Sequence, residues 1–408
     1  MRSSARPSMK SLIGARVQPD SLEDKKKLLR EMNAMAGLRV VEQTTAPGEI
    51  VSSIVLVRAS SVTPKKLDWL YQDRIVLGNT NLFCGPPDVG KDAVMVDLIS
   101  RGTIGRRWPD RENPNPPFDV VMLVSEEGIE DTVVPRLMVA GTDLHRVHFA
   151  MQTRISQDAK TSVRRIALDQ DLEAIRKMLT TLRDNKTPAK LLVISPFGSY
   201  LGKLKKNSDD DIRPLMDNLR ELAAECEIAI VCISHFNKNI LAAAIDRTGG
   251  AGAIAQAPRC GWAFVKDDED ETGESRLMLM IKGNNVKESA KAGLRYRFVE
   301  EVLTIDGKSA GYPRVEWLGP SSRKIDDVLH SAIDKEDTKV GACVKWLEGK
   351  LANGASEASK ELYRAAEKLG WAYPTVRRAA ERLNVDHVRM NGSGPWFMCL
   401  PASDQGNR

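Results

Sequence analysis

The sequence predicts an α/β fold, a largely parallel sheet flanked by helices with a small helical block appended. Three observations carry this. Short β-branched apolar runs alternate with helical patterns between Trp69 and about Val302. A glycine-bounded loop, 85–92, stands between one such run and a helical run. After a polar stretch at 319–334, residues 335–401 read as a separate basic unit, with 11 Lys/Arg against 8 Asp/Glu in a chain of net charge +5.

Composition sets the frame. At roughly 100–200 residues per domain, 408 residues allow two to four domains. With 42% hydrophobic and 28% charged residues the chain is ordinary globular material, which excludes a disordered or fibrous protein. A mildly basic balance permits a nucleic-acid partner without demanding one. No apolar run reaches the length of a membrane-spanning helix, and MRSSARPSMKSLIGARVQPD lacks the apolar core of a secretory leader. The six cysteines are scattered without a CxxC pair, which points to reduced thiols rather than zinc or disulfides and to a cytoplasmic protein. The expected divisions are an N-terminal arm and lead-in at 1–67, an α/β domain at 68–318 and a small domain at 335–401.

The elements follow in order. SLEDKKKLLREMNAMAG suggests a helix at Ser21–Ala36, and Ile50–Arg58 reads as a strand. Asn81–Cys84, Val120–Ser125, Leu191–Ile194 and Ile228–Ser234 suit strands buried on both faces. Helical patterns at Asp171–Arg183 and Pro214–Cys226 connect them as βαβ units. Trp262–Lys266 and Arg276–Lys282 flank an acidic, glycine-containing turn and predict an antiparallel hairpin. Two polar stretches, Trp108–Asp119 and Leu201–Pro214, read as surface loops, the second mobile. Three helices and a hairpin are predicted in 335–401, with a linker around Gly319–Asp334 before them.

The strongest chemical signal is the loop Gly85, Pro86, Pro87, Asp88, Val89, Gly90, Lys91, Asp92, followed by Ala93 and a helical run. Glycines at both ends free the backbone to turn its N–H groups toward phosphates. The helix N-terminus adds partial positive charge, and Lys91 reaches the terminal phosphates. These residues are the candidate nucleotide site, with ATP and Mg²⁺ as its ligands. Two positions depart from the pattern: Asp92 replaces the hydroxyl residue that ligates Mg²⁺, and Asp88 stands where a third glycine is common. A carboxylate about 4 Å from a phosphate charge costs roughly 4 kcal/mol at an effective dielectric near 20.

The later strand that should end in a magnesium-holding aspartate ends in Ser195 instead. Asp92 and Ser195 are therefore the candidate metal ligands, with carboxylate and hydroxyl exchanged. The competing reading is a degraded site that binds nucleotide without turning it over. Glu126, at the end of what reads as the strand beside the loop, is the candidate general base; a solvated acidic loop before a helix is the alternative. His235, at the end of Ile228–Ser234, is either a γ-phosphate sensor or a structural histidine. Arg259 and Lys282 are the remaining basic candidates, able to reach a neighbouring subunit's phosphate in an oligomer.

GPPDVGKD, VSEEGIEDTVVPRL, LLVISPFGSYLG, ISHFNK and IKGN, together with the lead-in WLYQDRIVLG, occur in the order seen in RecA-like AAA-family ATPases of plasmids, phages and bacteria. The hexameric plasmid replication helicases belong to this group. The resemblance covers roughly Trp69–Asn284. It implies a RecA-like P-loop NTPase core acting on DNA as a homo-oligomer, with Lys91 on phosphate, Glu126 as base, His235 as sensor and Lys282 acting in trans. The C-terminal block resembles the winged-helix modules attached to such ATPases. Arg377, Arg378 and Arg382 on its third helix would then face DNA, or the block would serve protein contacts alone. The expectation is an ATP-dependent, helicase-like enzyme in DNA replication or recombination; the alternative is a nucleotide-responsive DNA-binding regulator or helicase loader that does not hydrolyse.

Overall fold

The computed structural model describes residues 57–157, 160–236, 249–283, 285–352, 355–389 and 394–401. The helix expected at Ser21–Ala36 lies outside them, as does all but the end of the strand expected at Ile50–Arg58, where Val57 and Arg58 are not strand. The chain divides into two units, Met1–Leu67 and Asp68–Arg408. In the first, the described residues hold a single 3-10 turn, Ala59–Ser61.

The second unit opens with the short pair β1 (Trp69–Tyr71) and β2 (Ile75–Val76), then β3 (Asn79–Gly85) and α1 (Lys91–Ile104). β4 (Asp119–Val124), α2 (Val134–Val139), β5 (Val147–Phe149), the hairpin β6 (Thr153–Gln157) and β7 (Lys160–Arg164), and α3 (Leu168–Asp184) follow. β8 (Ala189–Ser195), α4 (Asp209–Cys226), β9 (Ala229–His235), α5 (Gly252–Gln256) and β10 (Cys260–Lys266) complete the parallel part. β11 (Arg276–Gly283), β12 (Gly293–Ile305) and β13 (Lys308–Ser321) lead to α6 (Ile325–Leu351), β14 (Ser356–Ala358), α7 (Ser359–Lys368), α8 (Tyr373–Arg382), β15 (Asp386–Arg389) and β16 (Trp396–Cys399).

One nine-stranded sheet organises the unit, in the order β13-β12-β11-β10-β3-β9-β8-β4-β5. β10, β3, β9, β8, β4 and β5 run parallel, and β11, β12 and β13 add on antiparallel. β9, and β3 from Leu82 to Cys84, are apolar on both faces because helices cover both. On one face α3 and α4 bury Ile175, Leu179, Ile212, Leu215, Leu219 and Leu222 against Leu82, Leu192 and Ile230. On the other, a chain of rings, Phe83, Phe264, Tyr296 and Trp317, packs beside α1, and the Trp317 indole N–H donates to Asp97 of α1 at 2.7 Å.

Several expectations need correction. Glu126 does not follow the strand beside β3: β9 and β8 lie between β3 and β4, which at about 4.8 Å per strand is roughly 14 Å. Local pattern reports that a run is a buried strand, not which strand it will neighbour. The loop expected through Pro214 ends at Ser208, which caps α4 by accepting from the Asp211 N–H at 3.3 Å, while Asp209, Asp210 and Asp211 fill the first turn. Pro214 sits inside α4 on its exposed face. Trp108 is fully buried rather than part of a surface loop, stacked on Tyr71 at 4.8 Å.

The linker expected at Gly319–Asp334 is instead the end of β13 and the first turns of α6. Ile325, Val328 and Leu329 join the core of the large sheet, while Val340, Cys343, Leu347 and Leu351 of the same helix join the core of the C-terminal block. A boundary at residue 335 falls within this helix. The β12–β13 hairpin had no expectation at all. The C-terminal block consists of the end of α6, α7, α8 and a three-stranded sheet in the order β14-β16-β15; Ser356–Ala358, read as helix, forms its edge strand. No described helix is long and apolar enough to cross a membrane. All six cysteines are free thiols, and Cys84, Cys232, Cys260 and Cys343 are buried.

Candidate nucleotide site

The loop between β3 and α1 is held by strain and by packing. Gly85 has no room for a side chain: a Cβ there would stand 2.3 Å from the Phe264 carbonyl oxygen. Gly90 takes a left-handed φ of 79°, and a Cβ would meet the Phe298 ring at 2.0 Å. Asp88 also has a positive φ, 62°, so the position where glycine is common does require the conformation glycine tolerates, and Asp is among the few other residues that adopt it. Tyr296, fully buried on β12, donates its hydroxyl to the Val89 carbonyl at 2.7 Å. Tyr296 and Phe298 thus back the loop. Their signal was present in the alternation of Arg295-Tyr296-Arg297-Phe298 ahead of an Asp306-Gly307 turn.

Lys91 is 3% exposed. Its ammonium donates to the carbonyls of Gly85 at 3.2 Å and Pro86 at 2.8 Å and stands 3.3 Å from His235 Nδ1. Burial lowers its pKa, against the pull of the Asp92, Cys84 and Asp88 charges. His235 ends β9, the strand next to β3, with Gly85 as its register partner. Burial and then the Lys91 charge lower its pKa, while Glu126 and Asp92 act the other way and Lys206 adds to the lowering. Four elements therefore bring charges within mutual influence at the carboxyl ends of the strands, where α/β sheets bind ligands.

Asp92 and Ser195 meet: the Ser195 hydroxyl donates to Asp92 Oδ1 at 2.5 Å. An acidic side chain from the first turn of α1 and a hydroxyl from the end of β8 form one oxygen cluster. Such donors suit Mg²⁺, which takes one or two protein oxygens and completes its shell with water and phosphate. The described residues contain no group of three or more His, Cys, Asp or Glu placed to hold a metal.

Glu126 is exposed, with Ser199 Oγ 3.5 Å from its Oε1. Its neighbour Glu127 is engaged by Arg136 at 2.6 Å. Glu126, on the strand three places from β3, acts on the site through its charge on His235. The Ser125 hydroxyl is bonded to buried Tyr200, which ties the end of β4 to the turn after β8.

Arg259 and Lys282 are not part of this cluster. Arg259 N–H donates to the Thr80 carbonyl at 2.8 Å and Lys282 pairs with Gly261. Arg259 is level with Thr80, roughly 16 Å along the strand from Gly85, and Lys282 is level with Leu82 in mid-strand, roughly 10 Å from it. Lys282 donates to the Gln256 carbonyl at the end of α5. Burial and the Arg259 charge lower its pKa. In the C-terminal block, α8 buries Val376, Ala379 and Ala380 and exposes Arg377, Arg378 and Arg382; Arg377 pairs with Glu381 at 3.2 Å within the helix.

Residues 45–240, a little under half of the chain, match the family model of an AAA domain. Among curated proteins none matches the chain. The glycine-bounded loop, its buried lysine and the mostly parallel sheet fit a P-loop NTPase core, and the matched region is similar to an AAA domain.

Proposed function

We propose that this chain is an ATP-hydrolysing, helicase-like ATPase that acts on DNA as a homo-oligomer. The observation that carries the reading is the convergence of Lys91, Asp92, Ser195 and His235 on one point, with Glu126 beside it. In this reading Lys91 releases its loop carbonyls and takes the terminal phosphates. Asp92 and Ser195 hold Mg²⁺, which neutralises phosphate charge when bound. Glu126 orients and deprotonates the attacking water. His235 reads the terminal phosphate and passes its state along β9. The exposed cations on α8 supply a DNA-facing surface of the winged-helix kind, and Arg259 and Lys282 act on a neighbour's nucleotide.

The second reading is a nucleotide-responsive DNA-binding switch that does not hydrolyse. The 2.5 Å bond between Ser195 and Asp92 favours it, since each ligand is satisfied by the other. The deciding experiment is phosphate release from ATP with Mg²⁺, with and without single-stranded DNA, beside Lys91→Ala. DNA-stimulated release that disappears in the variant supports the enzyme. Nucleotide binding without release leaves the switch, and no binding at all removes both.

A further inference from the structure

Lys206 lies in the segment between β8 and α4, and three observations fix where its charge stands. Its side chain crosses Gly198: a Cβ there would be 3.3 Å from Nζ and 3.5 Å from Cδ. Its carbonyl accepts the Ala251 N–H at 2.7 Å, just beyond the Gly249 N–H that donates to the His235 carbonyl at 2.8 Å. The approach also needs Gly250, whose Cβ would meet Lys206 O at 2.9 Å and Cγ at 3.0 Å, and whose φ of 115° is itself a glycine conformation. Two glycines therefore leave the track along which this lysine runs. The track leads from the turn after β9 to Gly198, beside Ser199 and hence Glu126. His235 registers the Lys206 charge. Among the described residues Lys206 has no ion-pair partner.

Lys91 comes from the start of α1 and stands 3.3 Å from His235 at the end of β9; Lys206, from the segment after β8, crosses Gly198 beside Ser199, and its charge acts on His235. Three groups able to donate hydrogen bonds, two of them cationic, call for an anion between them. We infer that Lys206 is a contact for the terminal phosphate of the bound nucleotide, made within the same subunit, so that the site distinguishes a triphosphate from a diphosphate. The inference rests on the proposed nucleotide site and adds a residue to it. It also answers the departure at Asp92: an extra ammonium offsets the carboxylate that the loop places near the phosphates.

The competing source of phosphate is a DNA backbone, and the test separates the two. The full chain is titrated, with Mg²⁺, against ADP, the β,γ-imido analogue of ATP and a single-stranded oligonucleotide. Lys206→Ala should weaken the imido analogue about tenfold and leave ADP within about twofold, the worth of one charge-assisted hydrogen bond. Lys206→Arg should recover most of the loss, and Lys203→Ala, an exposed neighbour, should show none. Lys91→Ala should weaken both nucleotides and so reports on the loop itself. Equal loss for ADP and the analogue, loss confined to the oligonucleotide, or the same loss in Lys203→Ala overturns the inference alone. A wild-type chain that binds neither nucleotide overturns the proposed site and the inference with it.

Discussion

At the scale of single residues, the contact between Asp92 and Ser195 makes a sharp demand. If carboxylate and hydroxyl have exchanged positions about one cation, each single change leaves a mismatched pair. Asp92→Ser puts two hydroxyls there, and Ser195→Asp puts two carboxylates about 2.5 Å apart where one hydrogen bond stood. Each should cut phosphate release by about tenfold or more, the cost of one lost charge-assisted contact. The double change should recover most of it. A single change that raises turnover would sink the exchange. His235 supplies a second prediction. Burial and the Lys91 charge hold its pKa below the ordinary 6.5. As pH falls from about that value, the unfolded chain takes up a proton that the folded chain resists, so stability declines until the folded pKa is passed. The wild-type melting temperature should therefore drop further between pH 7 and pH 5 than that of His235→Gln, measured without nucleotide. Parallel curves would remove the histidine from the balance.

At the scale of elements, the parts of the site differed in how far they could be read. The loop, its lysine and the four buried strands were legible because each is a local signal: a run of β-branched residues that stops at a turn. What was not legible depended on partners distant in sequence. The place of Glu126 is set by two crossovers that put β9 and β8 between its strand and β3. The β12–β13 hairpin was missed although Asp306-Gly307 takes the positive φ values of a tight turn, 50° and 75°. Its strands alternate with charged residues because much of the hairpin is solvent-exposed. Yet this hairpin supplies Tyr296 and Phe298, which set the shape of the phosphate loop. Tyr296→Phe keeps the ring packing and removes only the hydroxyl from the Val89 carbonyl, leaving a buried acceptor unpaired. Thermal unfolding should show a loss of about 1–3 kcal/mol, and ATP titration should show weaker binding through a loosened loop. Unchanged affinity would mean the loop keeps its shape without β12.

At the scale of the whole molecule, Arg259 is level with the opposite end of β3 from the nucleotide loop, and Lys282 with its middle. Arg259 and Lys282 stand apart from the Gly85 loop of their own chain, and Lys282 is engaged by the Gln256 carbonyl. In the proposed homo-oligomer, a head-to-tail arrangement, in which one surface meets a different surface of the next copy, would bring them to a neighbour's loop. The functional prediction is complementation. Arg259→Ala should bind ATP normally and release little phosphate, while Lys91→Ala should bind it weakly and release none. Mixed in equal amounts, the two should regain part of the activity, because an intact loop in one copy meets an intact Arg259 in another. Wild-type turnover should also rise faster than linearly with protein concentration. A mixture no more active than its components would assign Arg259 to the surface of its own subunit.

The helix that runs from the large sheet into the C-terminal block makes angular phase a property of this protein. Leu329 and Val340, its nearest residues in the two cores, are 11 positions apart, about three turns at 3.6 residues each. Leu347 and Leu351 continue the same stripe. Both cores therefore grip nearly the same side of one rod, and its spacing fixes the bearing of one block relative to the other. One residue added between the grips would swing the exposed arginines of α8 by about 100° around the rod while advancing them about 1.5 Å. Eleven added residues would restore the bearing about 16 Å further along. Insertions of whole sets of turns in this stretch should therefore preserve that bearing, and insertions of single residues should not.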